Sequence, residues 1–513
     1  MLAKVTSCAL VGLDGVLVAV EIDTSRGMPA LTIVGLPDAA VKESSERVRA
    51  AVKNSGLVFP GQRITVNLAP ADIRKEGPAY DLPIAVGVLI ASEQAWPQAV
   101  EDALFVGELS LDGSVRHVNG ILPIAALAHQ QSIRRLFVPA ADAPEAALIQ
   151  GLEVIPVEDL GQLAAHLQGL REIPPFTPET DPAGLSAPPY AADFAEIKGQ
   201  EHVKRALEVA AAGGHNVLMT GPPGSGKTLL ARSIPSILPT MTVEEALEVT
   251  KIYSVAGMLP PDTPLIRHRP FRAPHHTISH PGLVGGGHWP RPGEISLAHR
   301  GVLFLDELPE FGARTLEGLR QPLEDGTISI ARATGTLAFP ARFMFIAAMN
   351  PCPCGYYNSH LKDCKCTPPA IQHYLNRISG PLLDRIDLQV AVPEVSHDEM
   401  LASPKGECSA VIAARITAAR KIQGERFKKT RNRYCNDQMT PREIEIYCAL
   451  NQESRECIEE SMRTMKLSAR AYHRILKVAR TIADLEGDPE ISSGHLSEAA
   501  NYRSLDRDYW GGF

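Results

Sequence analysis

A glycine-rich octapeptide between an apolar run and a helical pattern constrains this chain more than any other feature. It reads G-P-P-G-S-G-K-T and fits the pattern G-x-x-x-x-G-K-[ST]. Glycines let the main chain wrap closely around phosphate groups where a helix begins. The order of strand, loop and helix therefore favours a nucleotide-binding P-loop over a chance loop of glycine and proline. Its residues are Gly221, Pro222, Pro223, Gly224, Ser225, Gly226, Lys227 and Thr228.

Polar residues at the ends of two further apolar strands supply the rest of the expected chemistry. Asp306 and Glu307 follow residues 301–305, and Asn350 follows residues 343–349. Lys227 would bind the β- and γ-phosphates of ATP, and Thr228 with Asp306 would hold Mg²⁺. Glu307 would orient the attacking water, and the Asn350 amide can reach that water or the γ-phosphate. A merely solvated strand end is the alternative for the acidic pair.

A proline-rich stretch divides the chain of 513 residues. Residues 171–190 contain six prolines and no apolar periodicity, so they form a predicted linker. Residues 1–170 alternate short strand patterns with helical ones, as an α/β domain does. Residues 191–394 carry the P-loop on an expected parallel sheet, with an insertion at 265–300. Residues 395–513 are rich in helix formers and predict a helical C-terminal lid domain.

Composition is that of an ordinary globular protein, with 44% hydrophobic and 21% charged residues. The longest apolar run, residues 82–91, is about half of what a membrane span needs, and no export signal is evident. We therefore expect a cytoplasmic protein with no membrane partner. A net charge of −8 does not indicate nucleic-acid binding, so any surface that binds nucleic acid must be a local patch of positive charge.

Four of the nine cysteines lie within fifteen residues and form C-x-C-x₉-C-x-C. Four thiolates at this spacing are able to provide a tetrahedral zinc site, although C-x-C is rarer than C-x-x-C. The predicted ligands are Cys352, Cys354, Cys364 and Cys366 in a loop at 352–366, with His360 as a possible substitute for one thiol. Unliganded thiols in a loop are the alternative.

Positive and protonatable side chains are concentrated in two segments. The insertion carries eleven arginines and histidines between residues 267 and 300, and residues 415–433 carry eight Lys/Arg with one acid, Glu425. A predicted β-hairpin at 327–339, bearing Arg332, lies between them. These segments are candidates for contact with a DNA backbone, and a solvated basic face is the bland alternative.

The P-loop, the Asp–Glu strand end and the terminal Asn resemble Walker A, Walker B and sensor 1 of AAA+ ATPases. In such machines subunits form rings, and a neighbour's arginine completes each site. Residues 380–387 resemble the arginine-finger segment, which makes Arg385 the finger and Arg377 the second candidate; a surface pair of Asp384 and Arg385 is the alternative. Residues 467–470 resemble sensor 2, which implies that Arg470 contacts the γ-phosphate in cis, with Arg474 as a competing candidate.

Longer strings at 271–277, 285–287, 291–299, 350–355 and 478–485 resemble the magnesium-chelatase-like ComM/YifB family of bacterial AAA+ proteins, nearly end to end. This resemblance implies a homo-hexameric ATPase that acts as a DNA helicase. It would promote branch migration when transforming DNA is recombined, with single-stranded or branched DNA in a central pore. A chelatase-type motor that remodels a protein partner is the alternative.

The N-terminal domain resembles the proteolytic domain of Lon. Where Lon has its serine after K-D-G-P, this chain has Ala79 after residues 75–78, and Leu122 stands where the lysine is expected. A serine–lysine dyad that lacks both members cannot form an acyl-enzyme. The resemblance therefore implies an inactive Lon-like scaffold rather than a protease.

Overall fold

A computed structural model describes residues 2–178, 192–260, 263–287, 291–332, 335–358, 362–395, 406–430, 433–465, 468–503 and 505. The chain forms two compact units. The first comprises Met1–Ser186 and Val243–Ile266, and the second comprises Ala187–Thr242 and Arg267–Phe513. Most of the predicted linker, residues 179–190, lies outside the described residues.

The first unit contains a mixed seven-stranded sheet in the order β3-β4-β2-β1-β5-β8-β9 and a short β6–β7 ribbon. Strands β1 and β2 form an antiparallel hairpin, whereas β5, β8 and β9 pair in parallel. The strands predicted around residues 31–34, 63–68 and 135–138 are confirmed. The strands are β1 (Leu2–Val11), β2 (Asp14–Ser25), β3 (Ala30–Val34), β4 (Arg63–Ala69), β5 (Ala103–Phe105), β6 (Glu108–Leu109), β7 (Val115–Arg116), β8 (Arg135–Pro139) and β9 (Glu153–Val157).

Helices cover this sheet. The helices are α1 (Ala39–Asn54), α2 (Asp81–Ala91), α3 (Ile121–Gln130), α4 (Ala143–Ala146) and α5 (Leu160–Leu167). Every residue of α2 is buried, which explains an apolar run that is too short to cross a bilayer. Its only charged residue, Asp81, is paired with Arg47 of α1. The α/β architecture expected for this part of the chain is thus present.

A histidine network joins the segment before α3 to the segment before α4. His117 Nδ1 contacts Asp142 Oδ1, and His117 Nε2 lies 3.1 Å from Asn119 Oδ1. Acceptors at both ring nitrogens favour the doubly protonated imidazolium. The hydrogen bond to Asp142 accordingly raises the pKa of His117 to about 9, although burial acts in the opposite direction.

This raised pKa makes the stability of the first unit dependent on pH. The stabilisation from the His117 charge is complete below the ordinary pKa of 6.5 and is lost as the pH rises through about 9. Calorimetric unfolding between pH 6 and 10 is expected to show this loss in the wild type and a flatter profile in His117→Gln. His129→Gln, at an exposed histidine of the same unit, serves as the control. Identical profiles for wild type and His117→Gln would contradict the assignment.

The helices that follow α5 are α6 (Glu201–Gly213), α7 (Lys227–Ser233) and α8 (Val243–Ala256). The ATPase domain predicted at 191–394 includes α8, and the packing of the chain groups α8 with the first unit. It packs against α3, and Ser254 donates a hydrogen bond to the buried Glu145 carboxylate, which also accepts from the backbone N–H of Leu122. Leu122 is the position expected for the missing Lon lysine. Long-range packing, rather than position along the chain, therefore decides where α8 lies.

The second unit is built on a five-stranded parallel sheet in the order β11-β14-β17-β10-β18. Two antiparallel ribbons, β12–β13 and β15–β16, stand apart from it, and the second confirms the hairpin predicted at 327–339. The strands are β10 (Val217–Thr220), β11 (Phe271–Arg272), β12 (Gly285–Gly286), β13 (Arg291–Pro292), β14 (Val302–Leu305), β15 (Thr327–Arg332), β16 (Gly335–Pro340), β17 (Met344–Met349) and β18 (Leu388–Ala391).

From residue 406 onward, the described part of the chain is helical, as expected for the C-terminal domain. None of the helices in the described ranges is long and apolar enough to cross a bilayer. The remaining helices are α9 (His280–Val284), α10 (Glu294–Leu297), α11 (Ala313–Glu317), α12 (Arg320–Asp325), α13 (Pro368–Leu375), α14 (Gly380–Leu383), α15 (Ser409–Phe427), α16 (Pro441–Tyr447), α17 (Gln452–Met465), α18 (Ala469–Glu486) and α19 (Ser493–Asn501).

Candidate active site

Three loops meet at the carboxyl edge of the parallel sheet in the second unit. The P-loop follows β10, Asp306 and Glu307 follow β14, and Asn350 follows β17. Because neighbouring parallel strands run in the same direction, their carboxyl ends lie side by side. The sheet therefore brings together the three motifs that are up to about 130 residues apart in the sequence.

Lys227 is the centre of the P-loop contacts. Its ammonium donates to the carbonyl oxygens of Gly221 and Pro222, each at 2.8 Å, and lies 3.4 Å from Asn350 Oδ1. Burial lowers the pKa of Lys227, while the charges of Asp306 and Glu307 act to raise it. Asn350 and Lys227 of the P-loop therefore lie in one cluster.

The residues present fit ATP with Mg²⁺. Thr228 donates its hydroxyl to Asp306 Oδ2 at 2.7 Å, so the two predicted magnesium ligands are adjacent. A side chain at Gly221 would come within 2.2 Å of the Val392 carbonyl oxygen, which explains why the loop starts with glycine. Lys227 would hold the phosphates, and Thr228 and Asp306 would hold the ion. Bound Mg²⁺ would neutralise charge that develops on the phosphoryl oxygens.

Glu307 has an unusual backbone and an unpredicted neighbour. Its φ of 53° is left-handed, which is uncommon for a residue other than glycine. Its carboxylate is about half exposed and lies 3.4 Å from Nδ1 of His276 in the insertion. The exposed carboxylate is suited to orienting a water molecule. His276 belongs to the family string at 271–277, but its position beside Glu307 was not predicted.

Arg385 lies at the opposite, amino edge of the same sheet. It precedes β18, and the backbone N–H of Asp387 bonds to Asn216 O at the start of β10. The four-residue strands separate the two edges by roughly 10 Å. Arg385 Nη1 donates to Pro381 O at 2.7 Å, and its Nη2 pairs with Glu324 rather than with Asp384. This arginine therefore lies away from the P-loop of its own subunit.

The two sensor-2 candidates also lie at the amino edge. Arg470 is 3.9 Å from Asp384 and largely exposed, whereas Arg474 is bound to the buried Asp387. Burial opposes the charge of Arg474, but Asp387 and Asp437 hold its pKa above the ordinary value. Arg474 thus ties α18 to the sheet. The position of Arg470 differs from the expected contact in cis, because α18 packs beside the segment that carries Arg385.

Arg377, the second finger candidate, has a different environment. Its guanidinium pairs with Glu310 at 2.9 Å and lies 3.4 Å from Pro309 O. Both residues belong to the turn that follows Glu307, at the carboxyl edge. Arg377 is therefore associated with the Walker B segment of its own chain, whereas Arg385 lies at the other edge of the sheet.

The four predicted zinc ligands converge. Their sulfur atoms all lie within 4.8 Å of one another, and three of the separations are 3.4, 3.6 and 3.7 Å. Sulfur atoms around a tetrahedral zinc at 2.3 Å are about 3.8 Å apart, so the spacing fits. Backbone N–H groups of Tyr356 and Lys365 bond to the Cys354 sulfur and lower the pKa of that thiol to about 6. His360 lies outside the described residues.

Several arginines of the two basic segments form ion pairs with acidic residues of the same chain. In α15, Arg415 pairs with Glu208 and Glu407, and Arg426 pairs with Asp484. In the insertion, Arg272 makes two hydrogen bonds of 2.6 Å to Glu294. These arginines hold the fold together, so their number alone is no evidence for a DNA surface.

The two ribbons of the second unit lie next to each other, since Ile330 of β15 contacts the position of Gly285 in β12. Both tips, at 288–290 and 333–334, lie outside the described residues, as do His288 and the side chain of Arg332. The described parts of the two ribbons are thus packed together in the second unit.

Comparison with known proteins agrees with this architecture. Family models described as "Magnesium chelatase, subunit ChlI", "Subunit ChlI of Mg-chelatase" and "Magnesium chelatase, subunit ChlI C-terminal" match residues 193–400, 20–142 and 406–503. The "Competence protein ComM" of Haemophilus influenzae is 45% identical over 99% of this chain and 98% of its own length.

Two further relatives extend the comparison. The protein YifB of Salmonella typhimurium is 45% identical over 99% of this chain and 98% of its own length. A Lon protease of Rhizobium meliloti is 26% identical, over 35% of this chain and 24% of its own length, so the likeness to Lon is partial. With its P-loop, Asp–Glu and Asn motifs on one sheet edge, this chain belongs to the ComM/YifB family of magnesium-chelatase-like AAA+ ATPases.

Proposed function

We propose that this protein is a ring-forming ATPase, expected to be a homo-hexamer, that couples ATP hydrolysis to movement along DNA. Its role would be branch migration when transforming DNA is recombined. The observation that carries the proposal is the division of the site between the two edges of one sheet. Lys227, Asp306 and Glu307 lie at the carboxyl edge, and Arg385 lies at the amino edge.

This division requires a neighbouring subunit. An arginine about one strand length away, at the opposite edge of the sheet, faces away from the nucleotide of its own subunit, but it can reach one held by the next subunit of a ring. Head-to-tail contacts between carboxyl and amino edges close into a ring when the rotation allows. Arg385 would stabilise charge on the transferring phosphoryl group, and Arg470, on the same face, would act on that same nucleotide.

Three facts support DNA as the substrate of the motor. The relative from Haemophilus influenzae is named a competence protein, in agreement with the role that the family resemblance implies. The paired ribbons β12–β13 and β15–β16 belong to the insertion and to the hairpin that the sequence offers as candidates for contact with a DNA backbone. Tracking a DNA backbone needs no base-specific contacts, and no base-reading motif is evident in the sequence.

Stimulation of ATP hydrolysis by DNA tests the proposal. Single-stranded or forked DNA is expected to raise the rate several-fold at low salt, and the stimulation should decrease as salt is added, because phosphate contacts release counterions. Lys227→Ala is the blank, since it lacks the phosphate-binding ammonium. A rate that is the same with and without DNA would contradict the translocase.

A chelatase-type motor that remodels a protein partner is the second candidate. It is favoured by the family descriptions, which name magnesium chelatase, and by the net charge of −8. It is also favoured by the internal ion pairs of the arginines in α15. Such a motor would hydrolyse ATP at a rate indifferent to DNA, so the same experiment separates the two candidates.

The proposal includes a structural zinc ion held by Cys352, Cys354, Cys364 and Cys366. The sulfur separations support this site, and the nine cysteines are free thiols, which suits the cytoplasm. It also includes an inactive Lon-like domain, because Ala79 and Leu122 stand where a serine and a lysine would be needed. A casein-degradation assay is expected to show no proteolysis.

A further inference from the structure

The cysteine cluster lies next to the residues of the nucleotide site. Only Pro351 separates Cys352 from Asn350, whose amide oxygen lies 3.4 Å from Lys227 Nζ. Cys352 is fully buried, and the backbone of Asn350 is hydrogen-bonded to the buried Tyr374. The first thiol of the cluster is therefore buried two residues after Asn350, so the two positions are structurally linked.

A second contact joins the same loop to the P-loop. Gly355, one residue after Cys354, has a left-handed φ of +84°. A Cβ at this position would lie 2.6 Å from Cδ of Pro223 and 3.8 Å from Cγ of Asn350. Because real side-chain atoms do not approach so closely, this glycine allows the loop to pack against the phosphate-binding turn. The cluster touches the site on two sides, through Asn350 and through Pro223.

The position of the loop depends on what holds the four thiols together. Cys364 and Cys366 come from the far side of the loop, and the described contacts that bring them to Cys352 and Cys354 include sulfur–sulfur approaches. Contacts between free thiols are weak, whereas four zinc–sulfur bonds fix a loop of this length. Removal of the metal would free the segment that contacts Pro223 and follows Asn350.

We propose that zinc in the four-cysteine cluster is a component of the nucleotide site, which holds Asn350 and Pro223 in place so that ATP binds with full affinity only in the metal-loaded chain. This inference rests on the proposed zinc and ATPase functions. It assigns the cluster a positioning role for nucleotide binding, beyond stiffening a surface loop.

The test measures zinc content and nucleotide affinity on the full-length chain. Zinc is determined by mass spectrometry, and the affinity for a fluorescent ADP analogue is determined by titration. The wild type is expected to carry one zinc per chain. Cys364→Ser, which changes a thiol on the side of the cluster away from Asn350, is expected to lose the zinc. Its Kd for the analogue should rise about tenfold.

Reversal excludes general damage. Wild-type protein stripped with a chelator should show the same weakened binding, and adding zinc chloride should restore it. Circular dichroism checks that Cys364→Ser remains folded. Tight nucleotide binding by zinc-free, folded protein would overturn the proposal, and so would a wild-type chain that contains no zinc.

Gly355→Ala tests the contact without changing a thiol. It is expected to keep its zinc and to bind the ADP analogue several-fold more weakly, because the added Cβ collides with Pro223. The matched control is Gly169→Ala, at a glycine with φ of +72° and open space around it. Wild-type affinity in Gly355→Ala would remove the link between loop and P-loop. If DNA failed to stimulate ATP hydrolysis while nucleotide binding still depended on zinc, the proposed DNA translocase would be contradicted and this inference would stand.

Discussion

Replacement of Arg385 by alanine is expected to lower the turnover number for ATP hydrolysis by about 10³-fold. The guanidinium would neutralise charge on the transferring phosphoryl group, and alanine supplies none. Binding of ADP should be unchanged, because Lys227 and the rest of the P-loop are intact and lie at the other edge of the sheet. Steady-state ATPase assays at saturating ATP, with ADP titrations alongside, measure both quantities.

Arg377→Ala is the matched control for this experiment. Arg377 pairs with Glu310 beside the Walker B turn of its own subunit, so its loss should have a much smaller effect on turnover. A large loss in Arg377→Ala with a mild one in Arg385→Ala would reverse the assignment of the finger. In the single chain Arg385 is paired with Glu324, so the proposed ring contact would require Arg385 to exchange this partner for the neighbour's nucleotide.

Substitution of Glu307 by glutamine is expected to lower turnover by about 10² to 10⁴-fold while ATP and ADP still bind. Glutamine keeps the size of the side chain but cannot take a proton from the attacking water. The magnesium ligands Thr228 and Asp306 are not changed, so the ring should be trapped with ATP bound. Single-turnover assays separate the chemical step from product release.

Glu310→Gln provides the comparison for Glu307. It changes a carboxylate three residues away that is bound to Arg377 and makes no described contact with the P-loop. Near wild-type turnover is expected for this variant. If Glu307→Gln also turned over ATP at the wild-type rate, Glu307 would not be the residue that activates water.

The carboxyl-edge half of the site could be predicted from the sequence. Lys227, Asp306 and Asn350 each follow a short apolar strand, and parallel strands bring such residues together whatever their separation along the chain. The convergence of Cys352, Cys354, Cys364 and Cys366 was likewise indicated by spacing, because both pairs belong to one short loop. Local patterns are sufficient where the geometry is set by a few neighbouring residues.

The amino-edge half depends on packing that no local pattern reports. Arg470 was expected beside its own nucleotide, but α18 packs so that Arg474 pairs with the buried Asp387 and Arg470 lies near Asp384. Helix α8 follows the P-loop helix in sequence, yet its contacts through Ser254 belong to the first unit. In both cases the preferred partner of an amphipathic helix is decided by distant surfaces.

The positive charge of the basic segments was an incomplete guide to where DNA would bind. The run at 415–433 looked available for DNA, but Arg415 and Arg426 neutralise acids on α6 and α18. A sequence shows how many charges a segment carries and does not show which acids face them after folding. Contact of this run with DNA would therefore depend on its exposed lysines, such as Lys421 and Lys429, and the paired ribbons are a second candidate.

Mixing two inactive variants tests the central claim, that each site is shared by two subunits. Glu307→Gln and Arg385→Ala chains are each expected to be nearly inactive alone. In rings assembled from equal amounts, about a quarter of the interfaces would combine an intact Glu307 with a neighbour's intact Arg385. If each site is shared, ATPase activity is expected to reappear on mixing, at a rate well above the sum of the two separate rates. A mixture that hydrolyses ATP no faster than that sum would show that Arg385 does not complete a neighbour's site.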